Sequence, residues 1–216
     1  MSANRSVAAK TLLIVFISNL YPFYIIMSSP TKKIPATIGG FIPQLADSAN
    51  FQRWHSVFNE KIADINLYRF NYNYKPLLIY FYEKEWGSLG NCHLDQLNNS
   101  LTRLKLQGCN LLIVTATSFE DLNVISWKKG WSLSSFEDSN NELAASLNIY
   151  SDESPSWNTY SGIDTNIALP ALYLLDHSRQ VAFSFPNNDL AEQLPLSQVS
   201  NILVHLNLYK PDQQSA

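Results

Sequence analysis

One short segment of the chain switches from the pattern of a buried strand to the pattern of an amphipathic helix. Residues 77–82 (LLIYFY) are apolar or aromatic at every position, which is typical of a strand covered on both faces of a sheet. Gly87 and Gly90 follow in a turn, and one apolar helix face then recurs at Leu94, Leu97, Leu101 and Leu104. A buried strand that leads directly into such a helix predicts a layered α/β domain.

The rest of the core continues this alternation. Ser118 or Asp121 can cap the second helix, and Pro195 can open the last one. The order predicts a mixed central sheet with helices on both faces, parallel at the crossovers and antiparallel at the hairpin. The predicted elements are strand 77–82, a helix from about Asn91 to Leu106, strand 111–116, a helix ending near Lys128, strand 132–136, helix 140–147, a hairpin of strands 171–176 and 181–185, and a helix from Pro195 that stops by Pro211.

The amino-terminal part of the chain is less regular. Thr11–Met27 is strongly apolar and has basic residues on both flanks, so it is read as a membrane anchor, a cleaved signal or a segment upstream of a true start at Met27. A start at Met27 predicts a cytoplasmic protein, and the other two readings predict an anchored or exported one. Residues 28–45 form a linker, and the aromatic and apolar spacing from Asp47 to Ala63 predicts an amphipathic helix. The predicted domain spans 38–208, followed by a tail at 209–216.

Composition limits the classes of function. With 216 residues, 46% hydrophobic and 15% charged, the chain is long and apolar enough for one globular domain. A net charge of −3 argues against a nucleic-acid partner, and membrane contact is expected only through the amino-terminal segment. The histidines lack ligand spacing and no phosphate-binding loop is present, so no metal or cofactor is indicated.

Cys92 and Cys109 are the two cysteines of the chain. A helix between them would hold them roughly 24 Å apart at about 1.5 Å per residue, whereas a disulfide needs Cα atoms within about 7 Å. No bridge between them is therefore expected. Cys109 follows a glycine at the entry to a buried strand and is predicted to be a core residue.

The segment from the first strand into the helix resembles the active-site segment of peroxiredoxin-like proteins of the alkyl hydroperoxide reductase/thiol-specific antioxidant (AhpC/TSA) group. There an apolar strand runs into Trp-Cys-Pro-Tyr-Cys and a helix with a Leu-x-x-Leu stripe. Trp86, Leu94 and Leu97 match. A second similar stretch runs from Leu169 to Leu203, in which residues 169–176 (LPALYLLD) and 181–185 (VAFSF) are similar to two strand segments of the family. The resemblance implies a thioredoxin-like fold with peroxiredoxin-type extensions, an antioxidant or oxidoreductase activity, a thiol reductant such as thioredoxin, and homodimers.

The same alignment places Gly87 and Gly90 where the two cysteines of the family should stand. A thiol peroxidase needs a thiolate at a helix amino terminus, where free N–H groups and the helix dipole stabilise it. Glycine cannot supply this sulfur. The acidic residues Glu83 and Glu85 before the turn would also raise the pKa of a nearby thiol. The sequence therefore predicts a degenerate active site.

Cys92 is the candidate replacement for the missing catalytic cysteine. If Asn91 caps the helix, Cys92 occupies the first helical position, and His93 stands beside it. Helical geometry places Cys92 nearly opposite the leucine stripe, which fits an incidental surface thiol equally well.

Pro170 aligns with the proline that is cis in thioredoxins and packs over the active-site turn. Two hypotheses follow. The first is a Cys92-dependent oxidoreductase. The second is a binding or structural module with the thioredoxin fold and no redox chemistry, in which the groove between the Trp86 turn and Pro170 would bind an extended peptide or another subunit.

Overall fold

The structure is a computed structural model, which describes residues 38–40, 54–56, 75–155, 162–186 and 191–208. All of these belong to the compact unit Lys33–Ala216. The predicted readings of Thr11–Met27, most of the 28–45 linker and the 209–216 tail lie outside the described residues. In the part of the chain that is described, no helix is both long and apolar enough to cross a membrane.

The described residues form a mixed sheet of six strands with the order β1-β4-β3-β2-β5-β6. Strand β2 pairs in parallel with β3, and β3 in parallel with β4. The pairs β2–β5, β5–β6 and β1–β4 are antiparallel. The elements are β1 (Trp54–Ser56), β2 (Leu77–Phe81), α1 (Gly87–Leu106), β3 (Asn110–Thr115), α2 (Phe119–Lys129), β4 (Ser134–Glu137), α3 (Glu142–Ser146), β5 (Ala171–Leu175), β6 (Val181–Pro186) and α4 (Leu196–Leu208).

Both faces of the sheet are covered by helices, as the sequence predicts. One face packs against α1, α2 and α4, where Leu94, Leu122 and Val199 join a single apolar cluster. The other face packs against α3 through Leu143 and Leu147. Because β2 is central, all five of its residues are buried, which explains its continuous apolar run.

Local capping agrees with the predicted boundaries of α2. The helix begins after Ser118, whose hydroxyl accepts a hydrogen bond from the backbone N–H of Asp121. It therefore uses the first of the two predicted caps. Acidic residues lie in its first turn and basic residues in its last, as the helix dipole favours.

Two predicted elements are wrong in part. Trp54–Ser56 form a strand paired with β4, although the spacing across 47–63 predicts a helix; the rest of that range lies outside the described residues. The backbone of β4 offers an edge for pairing, and pairing with it outweighs the local helical periodicity. Helix α1 begins at Gly87 and not at Asn91, because a turn of 3₁₀ helix at Lys84–Trp86 leads directly into it.

Candidate active-site turn

The turn that joins β2 to α1 lies where the resemblance places the catalytic cysteines. Gly87 is exposed and has φ of +55° with ψ of −132°. This is a conformation that glycine adopts freely and that a side chain disfavours. The first of the two expected cysteine positions therefore has a backbone suited to glycine.

At Gly90 the constraint is different, because the surrounding side chains leave no room for a Cβ atom. It is buried, and a Cβ atom at this position would lie 2.8 Å from the Cβ of Trp86 and 3.2 Å from Cε2 of Tyr82. The Tyr82 ring is also fixed, since its hydroxyl donates to the side-chain oxygen of Asn91 at 2.9 Å. A cysteine at position 90 would require these neighbours to move.

Trp86 closes the turn against the loop that precedes β5. Its side chain is only 4% exposed and packs on Ile163 and Ile167. Its indole N–H donates to the carbonyl oxygen of Ala168 at 3.2 Å. Burial of the ring together with a bonded N–H satisfies both the apolar and the polar part of the tryptophan side chain.

Pro170 is buried directly before β5, two residues beyond the carbonyl that Trp86 contacts. Among the described residues no peptide bond is cis, so the bond from Leu169 to Pro170 is trans and the predicted cis geometry is wrong. A proline at this position is compatible with the sheet, because the residue at the start of a strand need not donate to the ladder.

The structure corrects the predicted placement of Cys92. Because α1 begins at Gly87, Asn91 lies inside the helix and is not its cap, and Cys92 lies beyond the first turn. Its side chain is exposed, as its position opposite the leucine stripe predicts. Free backbone N–H groups occur only in the first turn of a helix, so Cys92 lacks the placement that stabilises a thiolate.

Cys109 is the buried thiol of the chain, and the two cysteines are not bonded to each other. Its side chain is 1% exposed, and burial raises the pKa of its thiol to about 12. The predicted core role of Cys109 is confirmed. At neutral pH this sulfur is a protonated, inaccessible thiol.

His93 points into the protein, away from Cys92. Its Nε2 lies 2.9 Å from the carbonyl oxygen of Glu192, and its Nδ1 lies 2.8 Å from the hydroxyl of Tyr80. Since a carbonyl can only accept, Nε2 carries the proton and Nδ1 accepts from Tyr80. Burial lowers the pKa of His93, which favours this neutral form. Both ring nitrogens are thus engaged, and His93 does not serve Cys92 as a base.

Glu83 is the most unusual polar group of this region, because its carboxylate is buried at the end of β2. It accepts hydrogen bonds from the backbone N–H groups of Ala116 (2.7 Å) and Thr117 (3.1 Å), and from the hydroxyls of Thr115 (3.3 Å) and Thr117 (3.2 Å). Burial raises the pKa of Glu83 to about 7, with a smaller contribution from Glu85 and an opposing one from these hydrogen bonds. The carboxyl therefore ties the end of β2 to the loop after β3.

Comparison with known proteins identifies the family of this chain. The sequence profile of the AhpC/TSA family matches residues 47–184, more than half of the chain. The chain belongs to the AhpC/TSA family. A direct search of curated proteins gives no match.

Solved peroxiredoxins share the fold of this AhpC/TSA protein at low sequence identity. The reduced 2-Cys peroxiredoxin of Plasmodium vivax is 18% identical, with a TM-score of 0.56 over 84% of this chain and 90% of that one. A cysteine-to-serine mutant of peroxiredoxin 6 of Arenicola marina is 12% identical, with a TM-score of 0.58 over 83% of this chain and 80% of that one. A cysteine-to-serine mutant of PrxQ of Xylella fastidiosa is also 12% identical, with a TM-score of 0.58 over 82% and 99% of the two chains. These likenesses establish the thioredoxin-like, peroxiredoxin-type fold.

Sequence reasoning misses the surroundings of two residues of the site in this AhpC/TSA chain. It places Glu83 in an acidic loop, because the donors at Thr115 and Thr117 that bury this carboxyl are distant in sequence. It places His93 beside Cys92, although His93 directly precedes Leu94 of the apolar stripe and lies near that face. Within the described residues, no group of three or more His, Cys, Asp or Glu side chains is placed to hold a metal ion.

Proposed function

We propose that this chain is a non-catalytic member of the AhpC/TSA family that acts as a binding or structural module. The observation that carries the proposal is the pair of glycines at the two expected cysteine positions, each in a local geometry that suits glycine. At Gly87 the constraint is a positive φ, and at Gly90 it is contact with Trp86 and Tyr82. Strain of this kind costs on the order of 1–3 kcal/mol at one residue.

The buried polar groups around the turn support the same proposal. A catalytic turn needs groups that can reach a reacting thiolate and change protonation. Here His93 is engaged at both nitrogens, and Glu83 is enclosed by donors from Thr115 to Thr117. These interactions tie both groups to the interior and direct neither of them at the exposed surface of α1.

Trp86 also changes where a partner would bind. The sequence suggests a groove between the Trp86 turn and Pro170, yet both of these residues are buried, and the indole is bonded to Ala168. From Trp86 to Gly90, the exposed residues are Gly87, Ser88 and Leu89. An extended peptide would therefore have little open groove here, which favours a binding surface elsewhere on the domain.

The second candidate function is a Cys92-dependent oxidoreductase that uses thioredoxin or another thiol as reductant. The observation that favours it is the exposure of Cys92 on α1, which leaves the sulfur accessible to peroxide. A sulfenic acid formed there would need a thiol from another molecule to resolve it, because Cys109 is buried.

Peroxide consumption with a thioredoxin or dithiothreitol donor separates the two functions. We expect the wild-type protein and Cys92→Ser to consume peroxide no faster than the protein-free reaction. Trapping of sulfenic acid followed by mass spectrometry provides the second readout, with Cys109 as an internal reference for an inaccessible thiol. Consumption that exceeds the blank and is lost in Cys92→Ser, together with rapid sulfenylation of Cys92, would overturn the non-catalytic proposal.

A further inference from the structure

Positive charge in the described part of the chain is concentrated at one end of the sheet, called here the basic end. Because β2, β3 and β4 are parallel, α1 and α2 both return to the edge where these strands start. The hairpin between β5 and β6 lies at this edge too, since Leu175 pairs with Leu77. Of the seven Lys and Arg residues that the structure describes, Lys84 follows β2 at the opposite edge. The other six lie at the basic end: Lys75, Arg103, Lys105, Lys128, Lys129 and Arg179.

Helix α4 also ends at the basic end, beside the end of α1. Asn207 Nδ2 donates to the carbonyl oxygen of Gln107 at 2.8 Å, and Nε2 of His177 in the hairpin lies 3.4 Å from the carbonyl oxygen of Leu206. The carboxyl ends of α1, α2 and α4 are therefore all found here. The helix dipole favours basic residues at such ends, so the charge by itself has a local explanation.

Exposed apolar side chains at the same three helix ends have no such local explanation. Leu106 is the last residue of α1 and is 84% exposed, and Leu208 is the last residue of α4 and is 72% exposed. Trp127, in the last turn of α2, is 86% exposed. Large apolar side chains are normally buried, and several of them exposed among charges are typical of a contact surface. Trp and Leu side chains beside Lys and Arg are also the composition that binds at the interface of a lipid bilayer.

Carboxylates do little to offset the positive charge of the basic end. Asp95, in the middle of α1, accepts from the indole N–H of Trp131 at 2.7 Å, and Asp176 in the hairpin accepts from two backbone N–H groups. A chain of net charge −3 can therefore approach an anionic surface with this end first. Exposed acidic residues at the starts of the helices lie at the opposite edge: Glu85, Glu120 and Glu142.

The amino-terminal part of the chain enters the domain at the basic end. The N–H of Gly39 donates to the carbonyl oxygen of Val181 at 2.8 Å, and the N–H of Val181 donates to the carbonyl oxygen of Gly40 at 2.8 Å. Val181 pairs with Leu175, at the edge described above. One reading of the apolar sequence Thr11–Met27 is a membrane anchor, and an anchor would tether the domain by this end.

We propose that the basic end, together with Leu106, Trp127 and Leu208, docks on the surface of a bilayer that contains anionic lipids. The occupant follows from two features: the charge selects an anionic surface, and the apolar side chains select one with an apolar layer beneath its charge. Lysine and arginine contact the lipid headgroups, and the apolar side chains insert between them. This proposal extends the expected membrane contact from the amino-terminal segment to the domain itself, and the turn at Trp86 then faces away from the bilayer.

Co-sedimentation of the full chain with lipid vesicles tests the charge of the basic end. We expect tighter binding to vesicles of phosphatidylcholine with phosphatidylserine than to pure phosphatidylcholine, and salt should weaken the difference. The apolar segment Thr11–Met27 does not distinguish the two vesicle types, so the difference reports on charge. Lys105→Gln should weaken binding to the anionic vesicles about fivefold, and Lys128→Gln with Lys129→Gln about tenfold or more. Lys84→Gln, at the opposite edge, is the matched control and should stay within about twofold of the wild type.

The same vesicles test the apolar contacts. Trp127→Ala should weaken binding to the anionic vesicles about tenfold and Leu106→Ser about threefold or more, because each removes apolar surface that the bilayer covers. Leu89→Ser is the matched control, since Leu89 is an exposed leucine at the opposite edge. Quenchers in the lipid acyl chains should also reduce the fluorescence of the wild type more than that of Trp127→Phe.

Four results would each overturn the proposal. The first is no binding to either vesicle type, and the second is equal binding to both. The third is equal losses in the basic-end variants and their matched controls. The fourth is binding to soluble polyaspartate as tight as to the anionic vesicles, which would assign the basic end to an acidic polypeptide. Peroxide consumption plays no part in these readouts, so this proposal and the proposed function fail independently.

Discussion

Two tryptophans in this domain stand in opposite environments. Trp86, before α1, is 4% exposed and donates its N–H to Ala168, whereas Trp127, on α2, is 86% exposed. The first closes the turn from which a peroxiredoxin would act, and the second provides apolar surface to solvent. The contrast shows that the surrounding structure, and not the residue type, decides whether a tryptophan packs in the core or faces solvent.

The largest expected difference between the two regions is in stability. Trp86→Ala should lower the free energy of unfolding by about 3–5 kcal/mol, because it removes a buried ring and leaves the carbonyl of Ala168 without its donor. Trp127→Ala should change it by less than about 0.5 kcal/mol, because its side chain is already exposed to solvent. Denaturant unfolding of both variants measures the difference. Similar losses of stability in the two variants would mean that the two tryptophan side chains are packed to a similar extent.

Glu83, at the end of the strand that leads to Trp86, should make the free energy of unfolding depend on pH. Its pKa rises on folding from an ordinary 4.5 to about 7, so the folded protein holds this proton more tightly than the unfolded chain. The contribution of Glu83 to the free energy of unfolding is therefore fully present below about pH 4.5 and is lost as the pH rises through 7. A pKa difference of this size corresponds to a loss of about 3 kcal/mol.

Unfolding of the wild type and of Glu83→Gln between pH 4.5 and 8 isolates this effect. The difference in unfolding free energy between the two proteins should change with pH in the stated direction. The comparison cancels the opposite contribution of His93, whose pKa is lowered by burial in both proteins. Parallel pH profiles for the two proteins would show that Glu83 does not titrate in this range.

The glycines of the turn should give the smallest effects. Gly90→Ala should cost about 1–3 kcal/mol, because the added Cβ meets Trp86 and Tyr82. Gly87→Ala should cost about 1–3 kcal/mol through its positive φ alone, since no atom lies within 4 Å of a Cβ built there. Thermal unfolding measures both changes, and Ser88→Ala is the control at an exposed neighbour. A neutral Gly90→Ala would mean that Trp86 and Tyr82 yield easily.

Much of the fold could be predicted because its strands and helices carry clear periodicity. The continuous apolar run of β2 and the leucine stripe of α1 each reflect which faces are covered, and Ser118 signals the start of α2 through local chemistry. The strand at Trp54–Ser56 could not be predicted in this way, because its pairing with β4 joins residues far apart in the chain. The pairing of a strand at the edge of a sheet is not evident from the local pattern of apolar and polar residues.

The sequence alone was enough to predict the α/β layering, the exposure of Cys92 and the burial of Cys109, because each depends on periodicity or on residue identity. The alignment of Gly87 and Gly90 with the cysteines of the family depends on the resemblance. Only the tertiary structure revealed that α1 begins at Gly87, that His93 turns inward to Tyr80, and that Glu83 is enclosed by donors. Those outcomes depend on partners that are distant in sequence, such as Ala168, Glu192 and Thr117. Burial of a polar group is stable only when distant donors or acceptors meet it, and a local pattern does not encode that meeting.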